Sequence, residues 1–128
     1  GMADEDQALV AELILMTDPT RVGHTHRAIA GKPFDLTEFD AMAVLLQESD
    51  ILASVMPVVG IEQTRRLATE WSAFSDAMAK GLLQTGGRVV FLRDHAHFSS
   101  PASRRLGVPE LISQQLSALT ARDASLPL

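Results

Sequence analysis

Between residues 61 and 80 the chain repeats its apolar side chains at helical spacing. Ile61, Thr64, Leu67, Ala68, Trp71, Phe74 and Met78 fall on one stripe of a 3.6-residue period. A stripe that long has to be covered by other elements, and most other segments are patterned as helices too. The spacing predicts a mainly α protein: a single-domain bundle of four to six helices over residues 1–128. That length suits one domain with one ordinary core. Trp71 is the only tryptophan, and on this stripe it reads as a core anchor rather than a ligand platform.

The boundaries of the other helices follow from caps and breakers. Leu9, Leu13 and Met16 form a stripe over residues 5–16, with Val10 and Ile14 beside it. "TDPT" breaks the chain, and Asp18 caps a second helix with Pro19 at its first position. That helix runs to about Ala30 and stops at Gly31. In "FDLTEF", Asp35 with Glu38 three residues on resembles a capping box, with Phe34 and Phe39 at the staple positions. The helix it starts carries Phe39, Met42, Leu45 and Leu46 on one face. It ends at "QESD" or continues through Leu52 and Val55 to a boundary at Pro57. Ser100-Pro101 and Val108-Pro109 read as two further starts. Leu111, Ile112, Gln115, Leu116 and Leu119 give the last helix its apolar face, and residues 123–128 are expected to fray. The core expected from these stripes includes Leu13, Phe39, Leu46, Leu67, Trp71, Phe74, Met78, Ile112 and Leu116.

One segment departs from the helical pattern. "GLLQTGGRVVFLRD" places apolar and β-favouring residues on both sides of Gly86-Gly87. It reads either as a β-hairpin or as a helix ending at the glycines followed by one strand, Val89 to Leu92. One short strand or hairpin is therefore expected near residues 82–92. A lone strand needs a pairing partner, which leans the reading toward a homodimer.

Composition removes several chemistries. Apolar residues make up 46% and charged residues 21%, as in a globular protein. There is no cysteine, which excludes disulfides, thiolate zinc sites, iron–sulfur clusters and covalent haem, and which fits a reducing compartment. Gly1 before Met2 reads as an expression scar, and Asp4, Glu5 and Asp6 are the reverse of a signal peptide's basic start. Apolar stretches such as "SVMPVVGI" are too short to span a bilayer. The expectation is a soluble, cytoplasmic protein with no membrane partner.

The four histidines form two H-x-H pairs, His24/His26 and His95/His97. In a helix, residues i and i+2 point to nearly opposite sides, so His24 and His26 cannot clamp one ion together. Val22, His26 and Ile29 share a stripe, which turns His26 to the core and His24 to water. After a strand, i and i+2 point the same way. His95 and His97 could then hold zinc or iron, with Asp94 adding an oxygen or orienting an imidazole. A third ligand would come from His26 or His24, or more remotely from Glu110 or Asp123. The plainer account is a polar loop whose histidines cap the next helix or face solvent, and a pH-sensitive contact is a third account. Catalytic motifs are weak. Ser99 and Ser100 lie outside any G-x-S-x-G elbow, and "TGGR" lacks the lysine and spacing of a phosphate loop. With no converging acid/base set, the chain leans away from an enzyme.

The net charge of −5 is uneven. Residues 1–60 carry three basic and ten acidic side chains, 3 − 10 = −7, and residues 61–128 carry eight and six, 8 − 6 = +2. Arg88, Arg93, Arg104 and Arg105 face only Asp94 locally, so a polyanion would be steered there. The preferred account is a solvated surface of mixed charge.

Two family resemblances accompany these patterns. "LTEFDAMAVLLQ", "GIEQTRRLATEW" and "KGLLQTGGRVVFLRD" resemble, in order, the helices and β-wing of a winged-helix regulator. That resemblance implies DNA contacts from Arg65, Arg66 and Arg88, joined on charge grounds by Arg93, Arg104 and Arg105. The chain departs from the family in its Pro57, in an over-long recognition helix carrying the core stripe, and in its acidic balance. "GKPFDLTEFDAMAVLLQ" with "EWSAF" is also similar to the four-helix c-prime cytochromes, whose C-x-x-C-H haem motif is absent here. The sequence thus leads to a small interaction or regulatory protein that works as a homodimer with a protein partner. A DNA-binding regulator and a metal-binding protein or metalloenzyme are the alternatives.

Overall fold

A computed structural model describes residues 3–84 and 86–125. Along the chain run α1 (Asp4–Leu15), α2 (Pro19–Ile29), α3 (Phe39–Val55), α4 (Val59–Trp71), α5 (Asp76–Leu83) and α6 (Gly87–Val90). A π-turn (Phe91–His95) continues α6 without a break, and α7 (Pro101–Arg105) and α8 (Val108–Ser125) follow. The mainly helical architecture is as expected, with more and shorter helices than four to six. Gly1, Met2 and residues 126–128 lie outside the described residues. Within the segment expected to fray, α8 continues through Ser125.

The short strand or hairpin expected near residues 82–92 does not form; there is no strand among the described residues. The segment winds as α6 and the π-turn, closed by Ala96 N–H donating to the Phe91 carbonyl at 2.9 Å. The run "RVVFL" misleads because a continuous apolar stretch suits a buried helix as well as a buried strand. Phe91 and Leu92 are almost wholly enclosed, which contributes about 1.5–3 kcal/mol each. The glycine pair serves a different purpose from a hairpin turn. Gly86 sits at φ 80°. A Cβ on Gly87 would lie 2.5 Å from the Gly81 carbonyl oxygen, so only glycine lets α6 start against α5.

Two other boundaries move for local reasons. The stripe at 61–80 divides into α4 and α5, because residues 72–75 turn and the Ser75 hydroxyl accepts the Met78 N–H to begin a new helix. Phe74 falls in that turn and is 48% exposed rather than in the core. Asp35 caps a turn instead of α3. Its carboxylate accepts both the Thr37 N–H (2.9 Å) and the Thr37 hydroxyl (2.7 Å), which holds it below its usual pKa, and α3 begins only at Phe39. By contrast, Asp18 caps α2 and Ser100 caps α7 as expected, each with a proline following.

The core lies between α3, α4, α5, the α6/π-turn segment and α8. Ile51, Val55, Leu67, Trp71, Leu82, Phe91, Leu92, Val108 and Ile112 form it. Leu116 and Met78 pack against it, half-buried, and Leu13, Phe39 and Leu46 are also half-buried. α1 buries no residue fully. Gln47 of α3 ties it down by donating to the Met16 carbonyl at 2.6 Å.

Candidate functional site

α3 places two polar side chains, Gln47 and Glu48, on its buried stripe with Val44, Ile51 and Val55. Glu48 is 3% exposed. One carboxylate oxygen accepts the backbone N–H groups of Ser99 (2.9 Å) and Ser100 (3.0 Å); the other accepts the hydroxyls of Ser100 (2.5 Å) and Ser103. Both oxygens act only as acceptors, the role of the ionised form. Ser100 also receives the Ser103 N–H, so one serine caps α7 and binds the carboxylate together.

His26 completes this cluster. Its Nδ1 lies 2.6 Å from the Ser99 hydroxyl, and its buried Nε2 has no hydrogen-bond partner among the described residues. Burial pushes its pKa down to about 4, with His97 adding to the fall and Glu48 opposing it. The ring lies 5.4 Å from that of His97. The two H-x-H pairs therefore meet through one histidine of each, while His24 faces solvent. His95 turns the other way, edge-on to Trp71 at 5.4 Å, and burial lowers its pKa. Asp94 is at the surface in a two-pronged pair with Arg93, which holds its carboxyl below the usual range. Among the described residues no three histidine, aspartate or glutamate side chains are grouped to hold a metal. Glu110 is exposed at the first turn of α8, and the side chain of Asp123 lies outside the described residues.

Ser99 beside His26 looks like a nucleophile with its base, but the surroundings are arranged for something else. The N–H groups of Ser99 and Ser100, which an oxyanion would need, already bind Glu48. A histidine with a pKa near 4 is also a weak base at neutral pH.

The six arginines expected as DNA contacts take different positions. Arg65 and Arg66 are exposed on α4, and Arg65 pairs with Glu62 at 3.3 Å. Arg93, Arg104 and Arg105 are exposed on or near the π-turn and α7. Arg88 is turned inward. It donates to the carbonyls of Ser54 (2.5 Å) and Met56 (3.1 Å), to the Thr64 hydroxyl (3.1 Å) and to the Gln115 side-chain oxygen (2.8 Å), with Phe91 beneath it at 6.0 Å. Those carbonyls are the open C-terminal end of α3, so Arg88 is a cap delivered from another helix. Gln115 caps the neighbouring Val55 carbonyl. A Cβ on Gly60 would come within 2.8 Å of the guanidinium and 2.5 Å of the Ser54 oxygen, so α4 needs glycine there.

Beyond that cap the chain turns in an unusual way. Pro57 O accepts the Val59 N–H at 2.8 Å across Val58, which sits at φ 67°, ψ −73°. This is a γ-turn of the rare positive-φ kind. Val58 is 84% exposed, and Val59, Ile61 and Leu83 nearby are each more than half exposed. No protein-family model, curated protein or solved structure matches the chain. Its function has to be read from this geometry alone.

Glu48 and Arg88 were missed as structural centres in the sequence. A signal existed for both. Each is a charged residue in the apolar phase of its helix, Glu48 four residues after Val44 and Arg88 three before Phe91. A charge in that phase has to find buried partners.

Proposed function

We propose that this is a non-enzymatic interaction protein that self-associates through the corner between α3 and α4. The observation that supports this is Val58. A β-branched residue at positive φ costs on the order of 1–3 kcal/mol, and here the strain holds an apolar side chain in water. The turn itself joins α3 to α4, but the Val58 side chain is left in water, where a covering partner would bury it. Ile61 and Leu83 line one shallow recess beside the corner. Arg65 lines it and is paired with Glu62 one turn away on α4, so a second copy under a two-fold axis would meet an apolar recess bordered by an ion pair rather than an unopposed charge. α1 also exposes Ile14 and Leu15, but it carries four acids and no base, and two copies would repel.

The test is light scattering after size exclusion over a range of concentrations. The wild-type chain should run as a dimer and Ile61→Glu as a monomer. Val58→Gly should separate strain from contact: the unfolding midpoint of the monomer rises by the equivalent of about 1 kcal/mol while association weakens. A wild-type chain that stays monomeric at high micromolar concentration would sink the reading.

A further inference from the structure

We infer that the cleft between the end of α2 and α7 binds an amphipathic carboxylate, with its head group at Arg104 and its alkyl chain running past Phe34. This site is separate from the α3–α4 corner and does not depend on self-association.

Two adjoining cavities share Phe34 as a common wall. The first, about 440 Å³, is lined by the polar Lys32, Ser99, Arg104 and Glu110 and by the apolar Ile29, Phe34 and Phe98. The second, about 630 Å³, is an apolar groove floored by Leu36, Leu45, Ala102 and Leu106, with Arg105 at its edge. Both volumes are in the range of small-molecule sites. Leu36 is 52% and Leu106 70% exposed, so the groove offers apolar surface that the chain itself leaves uncovered.

Charge selects the sign of the head group. Arg104 and Arg105 line the two cavities with a single carboxylate, Glu110, in a chain whose net charge is −5; Lys32 lines the first cavity too, but it also borders Asp35, Glu38 and Asp40 and is offset by them. None of the three cations has an ion pair among the described residues. Arg104 is held in place by one nitrogen, which donates to the Ser99 carbonyl at 3.0 Å, leaving its other donors for a ligand. His26, behind Ser99, is kept neutral by burial and adds no charge. A recess that shares Ile29, Lys32 and Phe34 with the first cavity is also lined by Asp35, Glu38 and Asp40, and those carboxylates would turn an anion away from the Lys32 side. The carboxylate is therefore placed at the Ser99–Arg104 side. From there an alkyl chain reaches the groove by crossing Phe34.

Titration of the full-length protein with decanoate, followed by amide NMR, tests this. The expected result is saturable binding with shifts at Ser99 and Arg104 and at Leu36 and Leu106 together. Decanol, which lacks the charge, and acetate, which lacks the chain, should each bind at least about tenfold more weakly. Arg104→Gln, a change at the surface, should weaken decanoate about tenfold and leave the unfolding midpoint unmoved. Equal binding of decanol and decanoate, shifts confined to the α3–α4 corner, no saturation, or an unaffected Arg104→Gln variant would each overturn the proposal. A monomeric wild-type chain that still binds decanoate would leave this site standing while removing the self-association reading.

Discussion

Glu48 and Arg88 are inward-turned groups of opposite charge type, one buried and one half-buried, and neither has an ion pair among the described residues. Glu48 is held by donors at the start of α7, two of them backbone N–H groups. Arg88 is held by acceptors at the end of α3, two of them backbone carbonyls. Each charge thus meets the pole of a helix that suits it. They differ in depth and in what is left behind on removal. Glu48 is fully enclosed, and its loss strands N–H groups. Arg88 is half-buried, and its loss strands carbonyls, which tolerate under-satisfaction better.

The largest expected effect follows from that asymmetry. Glu48→Ala should lower stability by on the order of 3 kcal/mol, because four donors lose their acceptor at once. Urea unfolding monitored by Trp71 fluorescence reads it. Arg88→Met, which keeps the stem packed against Phe91, should cost about 2 kcal/mol in the same assay. If Arg88→Met proves the more damaging of the two, the contrast between stranded donors and stranded acceptors is wrong.

Acidification acts on one side only. The partners of Arg88 are carbonyls, a hydroxyl and an amide, none of which titrates near neutrality, whereas His26 lies beside Glu48. In the folded chain His26 stays neutral down to about pH 4; in the unfolded chain it takes a proton near pH 6.5. Its contribution is therefore complete above pH 6.5 and is lost as the pH falls toward 4, by on the order of 2 kcal/mol once solvent near the ring is allowed for. His95 acts in the same direction, and Asp50, whose carboxyl is pushed up by burial and by Glu70, acts against it. His26→Asn, whose amide offers both a donor and an acceptor to the Ser99 hydroxyl, should flatten the slope between pH 6.5 and 4, while Arg88→Met should retain it. An unchanged slope in His26→Asn would assign the acid sensitivity elsewhere.

Features that depend on a residue and its near neighbours were legible in the sequence. Asp18-Pro19, Gly31, Pro57 and Ser100-Pro101 mark real boundaries because capping and φ restriction act within a few residues. The inward turn of His26 and the outward turn of His24 came from phase alone. Asp35 was misplaced because its side chain satisfies the same short-range hydrogen bonding in a turn as at a cap. Residues 87–95 were misread because their apolar run has no period to separate helix from strand. The candidate site was hardest. Glu48 reads as part of a polar interruption until residues about fifty positions later bring their donors to it. Likewise Val58 looks like one more aliphatic residue until its φ is known.

α3 is finished by parts of the chain made after it. Its buried carboxylate waits for Ser99 to Ser103, and its last carbonyls wait for Arg88 and Gln115. During synthesis, a nascent chain that has emerged as far as Leu83 carries a central helix whose carboxylate and last carbonyls have only water for partners, so its inner face cannot be buried. The early helices can form and fray, but they cannot settle. The final third of the protein should act as a built-in checkpoint: the expected outcomes are a single unfolding transition for the whole molecule and a fragment ending before α6 that stays a target for proteases.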